Sequence, residues 1–205
     1  MKETAERTYG LEPIIYEDSV VLILGTLPGK TSLEKGKYYC DSTNKFWDIL
    51  FGACGESLQK TDEAKEALLK KYKIALWDMA HSAIRVKPSD KNPEETIDTS
   101  SDKFIEEEQP NDLPRLLTKY SNIKLIIFNG KESSEYFHKY YKNTAIPYIW
   151  VASSSGARSV CFDEKLAEWK VALSSVIPQS QIKHRLEWVP SEEIEKRKRK
   201  KAVKA

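Results

Sequence analysis

Four groups of side chains with chemical potential each follow a short apolar run. After the first run come Gly25-Thr26-Leu27-Pro28-Gly29 and then Tyr38-Tyr39-Cys40-Asp41-Ser42-Thr43-Asn44-Lys45-Phe46-Trp47. Asp78-Met79-Ala80-His81-Ser82 follows the second, and Asn129-Gly130-Lys131 the third. Ala152-Ser153-Ser154-Ser155-Gly156-Ala157-Arg158-Ser159 follows the fourth. Together they supply carboxamides, a carboxylate, small hydroxyls, backbone N–H groups and aromatic rings. A neutral amide takes no proton at neutral pH, but its carbonyl can orient a water and its NH2 can donate. An ionised carboxylate only accepts. His81, His138 and His184 share no metal-ligand spacing with one another or with Cys40, Cys54 and Cys161, so no metal is expected.

The apolar runs are Val20–Leu24, Ile74–Trp77, Leu125–Phe128 and Tyr148–Val151. Each is short, rich in β-branched or aromatic residues and ended by a polar residue or glycine, the pattern of strands buried on both faces in a parallel sheet. Between them lie helical stripes: Phe46, Trp47, Ile49 and Leu50; Leu113, Leu116, Leu117 and Tyr120; Phe137, Tyr140 and Tyr141; and Leu166, Trp169, Val171, Leu173 and Val176. Asp163 stands at an N-cap or first-turn position. This alternation predicts a three-layer α/β/α sandwich around a mainly parallel four-stranded sheet, in one domain over residues 1–180 with a charged extension at 181–205. In such sheets ligands bind beyond the carboxyl ends of the strands, so all four groups should converge on one edge. Lys87 to Pro110 reads as a polar connection too long to be ordinary, hence functional or disordered.

Composition bounds the function. The 205 residues are 40% hydrophobic and 10% aromatic, which suits one folded domain. No apolar run approaches the ~20 residues of a membrane span, and Met1–Gly10 has charge without a hydrophobic core behind it, so no secretory signal is read. The scattered cysteines suit reduced thiols in a cytoplasm. Net charge is +2, but Pro190–Ala205 carries seven Lys or Arg against three Glu, leaving the preceding 189 residues at −2. That tail either holds phosphates non-specifically or is a solvated helix end. Gly25–Thr31 is a near miss for a phosphate-binding P-loop. The P-loop needs four residues before its Gly-Lys pair; only Thr26, Leu27 and Pro28 intervene here, and Pro28 removes an N–H.

Gly25-Thr26-Leu27-Pro28-Gly29, Tyr38-Tyr39 and Asn44-Lys45-Phe46-Trp47 together resemble the first motif of the uracil-DNA glycosylase superfamily. They are most like its hypoxanthine (deoxyinosine) branch, of pattern LG-x-x-PG…YY…N-x-FW. Ser153–Arg158 resembles the DNA-inserting loop of the mismatch-specific uracil and thymine glycosylases, and the likeness spans roughly residues 18–176. It implies a DNA substrate, a monofunctional, monomeric enzyme without cofactor, and removal of hypoxanthine or uracil from DNA. The resemblance makes Asn44 the catalytic amide, since the position near Thr26, where other branches carry Asn or Asp, offers neither. Gly25, Tyr39, Phe46 and Asp78 would bind the base, the ionised Asp78 accepting its ring N–H. Pro28, Gly29, Ser153, Ser154, Ser155, Gly156 and Arg158 would meet DNA, Arg158 filling the vacated stack. Ala152 and Gly156 depart from the prolines of relatives, which alters the stiffness of that loop.

Structural roles compete for the same residues. Asn44 opens a helix as a cap would, Asp78 could cap the next segment, and Asn129-Gly130 is an ordinary turn signal. Phe46 and Trp47 cannot face the same way, so at least one belongs to the core, and the serine run could be a plain surface loop. Rival functions are a DNA-binding member of the fold without activity, a nucleotide-binding transferase using Gly25–Thr31, and a hydrolase of other substrates on the same scaffold.

Overall fold

Val21, Leu22, Ile23 and Leu24 are all fully buried, as a strand covered on both faces requires. The computed structural model describes residues 6–89, 96–141, 144–156 and 160–177. It opens with β1 (Arg7–Tyr9), β2 (Val21–Gly25) and α1 (Lys30–Lys35). Next come α2 (Phe46–Ala53), α3 (Asp62–Lys71), β3 (Ile74–Asp78), β4 (Ala80–Pro88) and β5 (Thr96–Asp98). A 3-10 turn (Asp102–Phe104) leads into β6 (Ile105–Pro110), α4 (Leu113–Lys119) and β7 (Leu125–Asn129). The last elements are α5 (Lys131–Tyr140), β8 (Tyr148–Val151) and α6 (Phe162–Ser174).

The main sheet has the order β3-β2-β7-β8, with every neighbouring pair parallel. Alternation along the strands sorts the core into two layers. Val21, Ile23, Ile74, Leu76, Leu125, Ile127 and Val151 pack with residues of α2, α3 and α6. Leu22, Leu24, Ala75, Ile126 and Phe128 pack with Leu113 and Leu116 of α4 and Phe137 of α5. This is the expected α/β/α arrangement with a four-stranded parallel sheet. Both Phe46 and Trp47 are core residues, 0% and 8% exposed.

Two elements differ from the sequence expectation. The described residues of Lys87 to Pro110 are not a structureless connection: β4 pairs antiparallel with β1, β5 and β6, forming a second sheet joined to the first through Met79. Four of the six β6 residues are exposed, so a polar sequence conceals a strand. Tyr148–Val151 is a strand but not a buried one. It lies at the sheet edge, and Tyr148, Ile149 and Trp150 are 44%, 41% and 52% exposed. No helix among the described residues is long and apolar enough to cross a membrane.

Candidate active site

The floor of the site is built by register. Gly25 and Asp78 end adjacent parallel strands and sit side by side. A Cβ on Gly25 would clash with Asp78 Oδ1 and lie 3.0 Å from Tyr39 Oη, so the glycine makes room for a carboxyl and a phenol over its own Cα. Asn111 Nδ2 donates to the Asp78 carbonyl at 2.9 Å and fixes the end of β3. The Asp78 side chain is almost wholly buried, and its Oδ2 has no hydrogen-bond partner among the described residues. Burial, reinforced by the nearby Asp102 charge and opposed by Arg85, pushes this carboxyl up to about 7. Tyr39 Oη is likewise buried without a partner at hydrogen-bonding geometry. Burial, and then the Asp78 charge, raises its pKa.

The connection between α1 and α2 forms one wall. Tyr39 has φ +53, the left-handed region a tyrosine rarely occupies. It is held there by stacking on Phe46 (centroids 3.7 Å apart, 16° between planes) and by Trp47 Nε1, which donates to the Tyr38 carbonyl at 3.2 Å. Asp41 Oδ1 accepts from Thr43 N–H (2.8 Å) and Thr43 Oγ1 (2.6 Å), and these bonds hold the Asp41 carboxyl below its usual range. Asn44 follows this turn. Its Oδ1 accepts from Phe46 N–H at 3.0 Å, satisfying one free donor of the α2 N-terminus. Its amide nitrogen donates to no described residue, and the side chain lines the cavity. Asn44 therefore opens the helix and faces the site at once.

The serine loop forms the opposite wall and is tied to the first. Asn129 Nδ2 donates to Ser154 Oγ (2.9 Å), and Asn129 Oδ1 accepts from Ser154 N–H (2.8 Å). Ser154 O accepts from Lys45 N–H at 2.9 Å, and a Cβ on Gly156 would come within 2.8 Å of Thr43 O. Lys165 Nζ, buried, donates to Ser155 O at 2.9 Å. Asn129 is thus a clamp, not merely a turn residue. Asn129→Ala should leave two Ser154 groups unsatisfied, costing about 1–3 kcal/mol and loosening the wall. Melting and single-turnover rates check this, and wild-type values in both would refute the clamp. Arg158 and the 181–205 extension lie outside the described residues.

The cavity encloses about 230 Å3. Its lining includes Gly25, Pro28, Gly29, Tyr39, Asn44, Asp78, Asn129 and Ser153–Ser155, together with Ser100 and Asp102. Phe46 does not line it, because Tyr39 covers its ring. Sequence reasoning passed over Ser100, Asp102, Arg85 and Asn111. Arg85 on β4 is 5% exposed; its Nη1 donates to Pro28 O and its Nη2 to Leu27 O and Asp102 Oδ1, each at 3.0 Å. Lys30 N–H donates to Ser100 Oγ at 3.2 Å. The Gly25–Thr31 segment therefore directs two carbonyls at an arginine and spends an N–H on a serine. That leaves it poorly disposed as a phosphate nest.

The model of the uracil DNA glycosylase superfamily matches residues 13–199. The chain is 32% identical over 164 residues to a hypoxanthine DNA glycosylase of Methanosarcina barkeri, covering 80% of this chain and 96% of that protein. It is 31% identical over 166 residues to the enzyme of the same name from Methanosarcina acetivorans, covering 78% and 94%. The solution NMR structure of a uracil DNA glycosylase candidate from Methanosarcina acetivorans superposes with a TM-score of 0.67. That match has 27% identity and covers 83% of this chain and 98% of the other.

Proposed function

Since the chain belongs to the uracil DNA glycosylase superfamily, we propose that it is a monofunctional, monomeric DNA glycosylase that hydrolyses the N-glycosidic bond of a deaminated base, hypoxanthine first and uracil second. The observation that carries this reading is the convergence of Asn44, Tyr39 and an Asp78 carboxyl with one unpartnered oxygen on one cavity at the carboxyl ends of the strands. A base held in a duplex cannot be reached, so it must be flipped out at a cost of a few kcal/mol. Stacking on Tyr39, backed by Phe46, returns about 1–3 kcal/mol. Pro28 and Gly29 form one rim against the DNA, Ser153–Gly156 on the other meet its backbone through N–H groups and hydroxyls, and Arg158 enters the vacated stack.

Loss of the base leaves an oxocarbenium-like sugar, as in glycoside hydrolysis. Asn44 cannot remove a proton, but with one lone pair of Oδ1 engaged by Phe46 N–H it has a fixed orientation, and it can direct a water toward the sugar carbon. The test is release of base from labelled duplex and single-stranded oligonucleotides carrying one hypoxanthine, uracil, mismatched thymine or xanthine. Wild type should leave abasic sites, hypoxanthine first, and Asn44→Ala should bind the same DNA without cutting. Binding without release by the wild type would instead mark a DNA-binding member of the fold.

A further inference from the structure

Asp78 was expected to act as an ionised acceptor, yet its surroundings suit the neutral acid. Four features meet at this carboxyl. It is almost wholly buried at the end of β3, its Oδ2 lacks a partner, it abuts the bare Cα of Gly25, and it lines the cavity. Tyr39 Oη, also buried without a partner among the described residues, crowds the same point above Gly25. Two buried oxygens without a partner, on side chains that line a cavity, mark a place where a ligand would supply one.

We propose that Asp78 is the proton donor to the leaving base. Its neutral carboxyl hydrogen-bonds to an unprotonated ring nitrogen or carbonyl oxygen of the flipped base. As the N-glycosidic bond breaks, its electron pair stays with the base, which takes the Asp78 proton. Water adds to the sugar carbon and releases a proton, which restores the acid through solvent. The inference rests on the glycosylase reading and adds leaving-group activation, which Asn44 on the other wall cannot supply.

The charged and titratable groups facing Asp78 are Arg85 on β4, Asp102 on the 3-10 turn, and Tyr38 and Tyr39 from the α1–α2 connection. Burial and Asp102 favour the proton, Arg85 opposes it, and the balance lies near neutrality. The folded state therefore binds more protons than the unfolded state between the ordinary aspartate pKa of about 3.9 and about 7. Stability contributed by this group is full below that window and lost as pH rises through it.

The experiment compares wild type with Asp78→Asn, which keeps a hydrogen-bond donor but has no proton to give. Single-turnover base release is followed across pH, and melting temperature is recorded over the same range. Expected are a wild-type rate that bends downward as pH rises through neutrality and an Asp78→Asn rate about 100-fold lower on the acid side without that bend. The melting temperature of wild type should fall relative to Asp78→Asn as pH rises. Identical pH profiles in the two proteins would overturn the proposal while leaving the glycosylase reading intact. No release by wild type at any pH would overturn both. Should Asp78→Asn fail to fold, the 13C carboxyl shift of wild-type Asp78 decides: titration in the neutral range upholds the proposal, and titration near 4 overturns it.

Discussion

Gly25→Ala should reduce base release to background while lowering stability by about 1–3 kcal/mol, the usual range for overpacking a tight core. The backbone is not the obstacle, because Gly25 does not have a positive φ. An alanine there would even gain about 0.4–1 kcal/mol by restricting the unfolded chain. Packing outweighs that gain. The new methyl would overlap Asp78 Oδ1 and touch Tyr39 Oη at 3.0 Å. β2 cannot retreat, since it is hydrogen-bonded between β3 and β7. The Asp78 backbone cannot retreat either, since Asn111 holds its carbonyl. The carboxyl must swing toward the cavity it lines, and the base site fills from within. Activity should therefore fall much further than stability, which single-turnover release and thermal unfolding would separate. A Gly25→Ala enzyme with the wild-type rate would mean that the base binds elsewhere.

What could be read from sequence follows from how each element is buried. Strands β2, β3 and β7 are buried on both faces, so their continuous apolar runs announced both the strands and the parallel sheet. Chemistry at the carboxyl ends of the strands brings Gly25, Asp78 and the serine loop together from the sequence alone. The second sheet was hidden because its β6 strand, Ile-Glu-Glu-Glu-Gln-Pro, is half solvated and carries no alternating signal. Arg85 and Asp102 were lost with it, since the value of a buried arginine lies in carbonyls and a carboxylate that are distant in sequence. Phe46 shows a different limit. Its position in the motif suggested a ring facing the base, but whether a helix-opening aromatic is open or covered depends on Tyr39. That residue covers it from a left-handed conformation that nothing in its own side chain favours. Asn129 was weighed as a turn, and only the packing of Ser154 against it reveals a clamp.

Arg85→Met is expected to destabilise the protein by about 3 kcal/mol and to move the pH dependence of release upward. Removing one partner of a buried pair typically costs about 3–5 kcal/mol. The lower figure applies because the Asp102 side chain keeps 33% exposure and can recruit water. The Leu27 and Pro28 carbonyls lose their donors as well, so the glycine loop is freed from β4. The sign of the pH effect follows from charge. Arg85 lowers the Asp78 pKa and Asp102 raises it. Losing the cation should carry the Asp78 titration to higher pH, and Asp102→Asn should carry it lower. In Arg85→Met/Asp102→Asn the two shifts oppose each other, and part of the lost stability returns because no buried charge is left alone. Denaturant unfolding measures the first effect, and pH profiles of the three variants measure the second. Shifts in the same direction for Arg85→Met and Asp102→Asn would show that these residues do not set the Asp78 proton. Unchanged stability in Arg85→Met would show that the second sheet is not fastened to the glycine loop through this guanidinium.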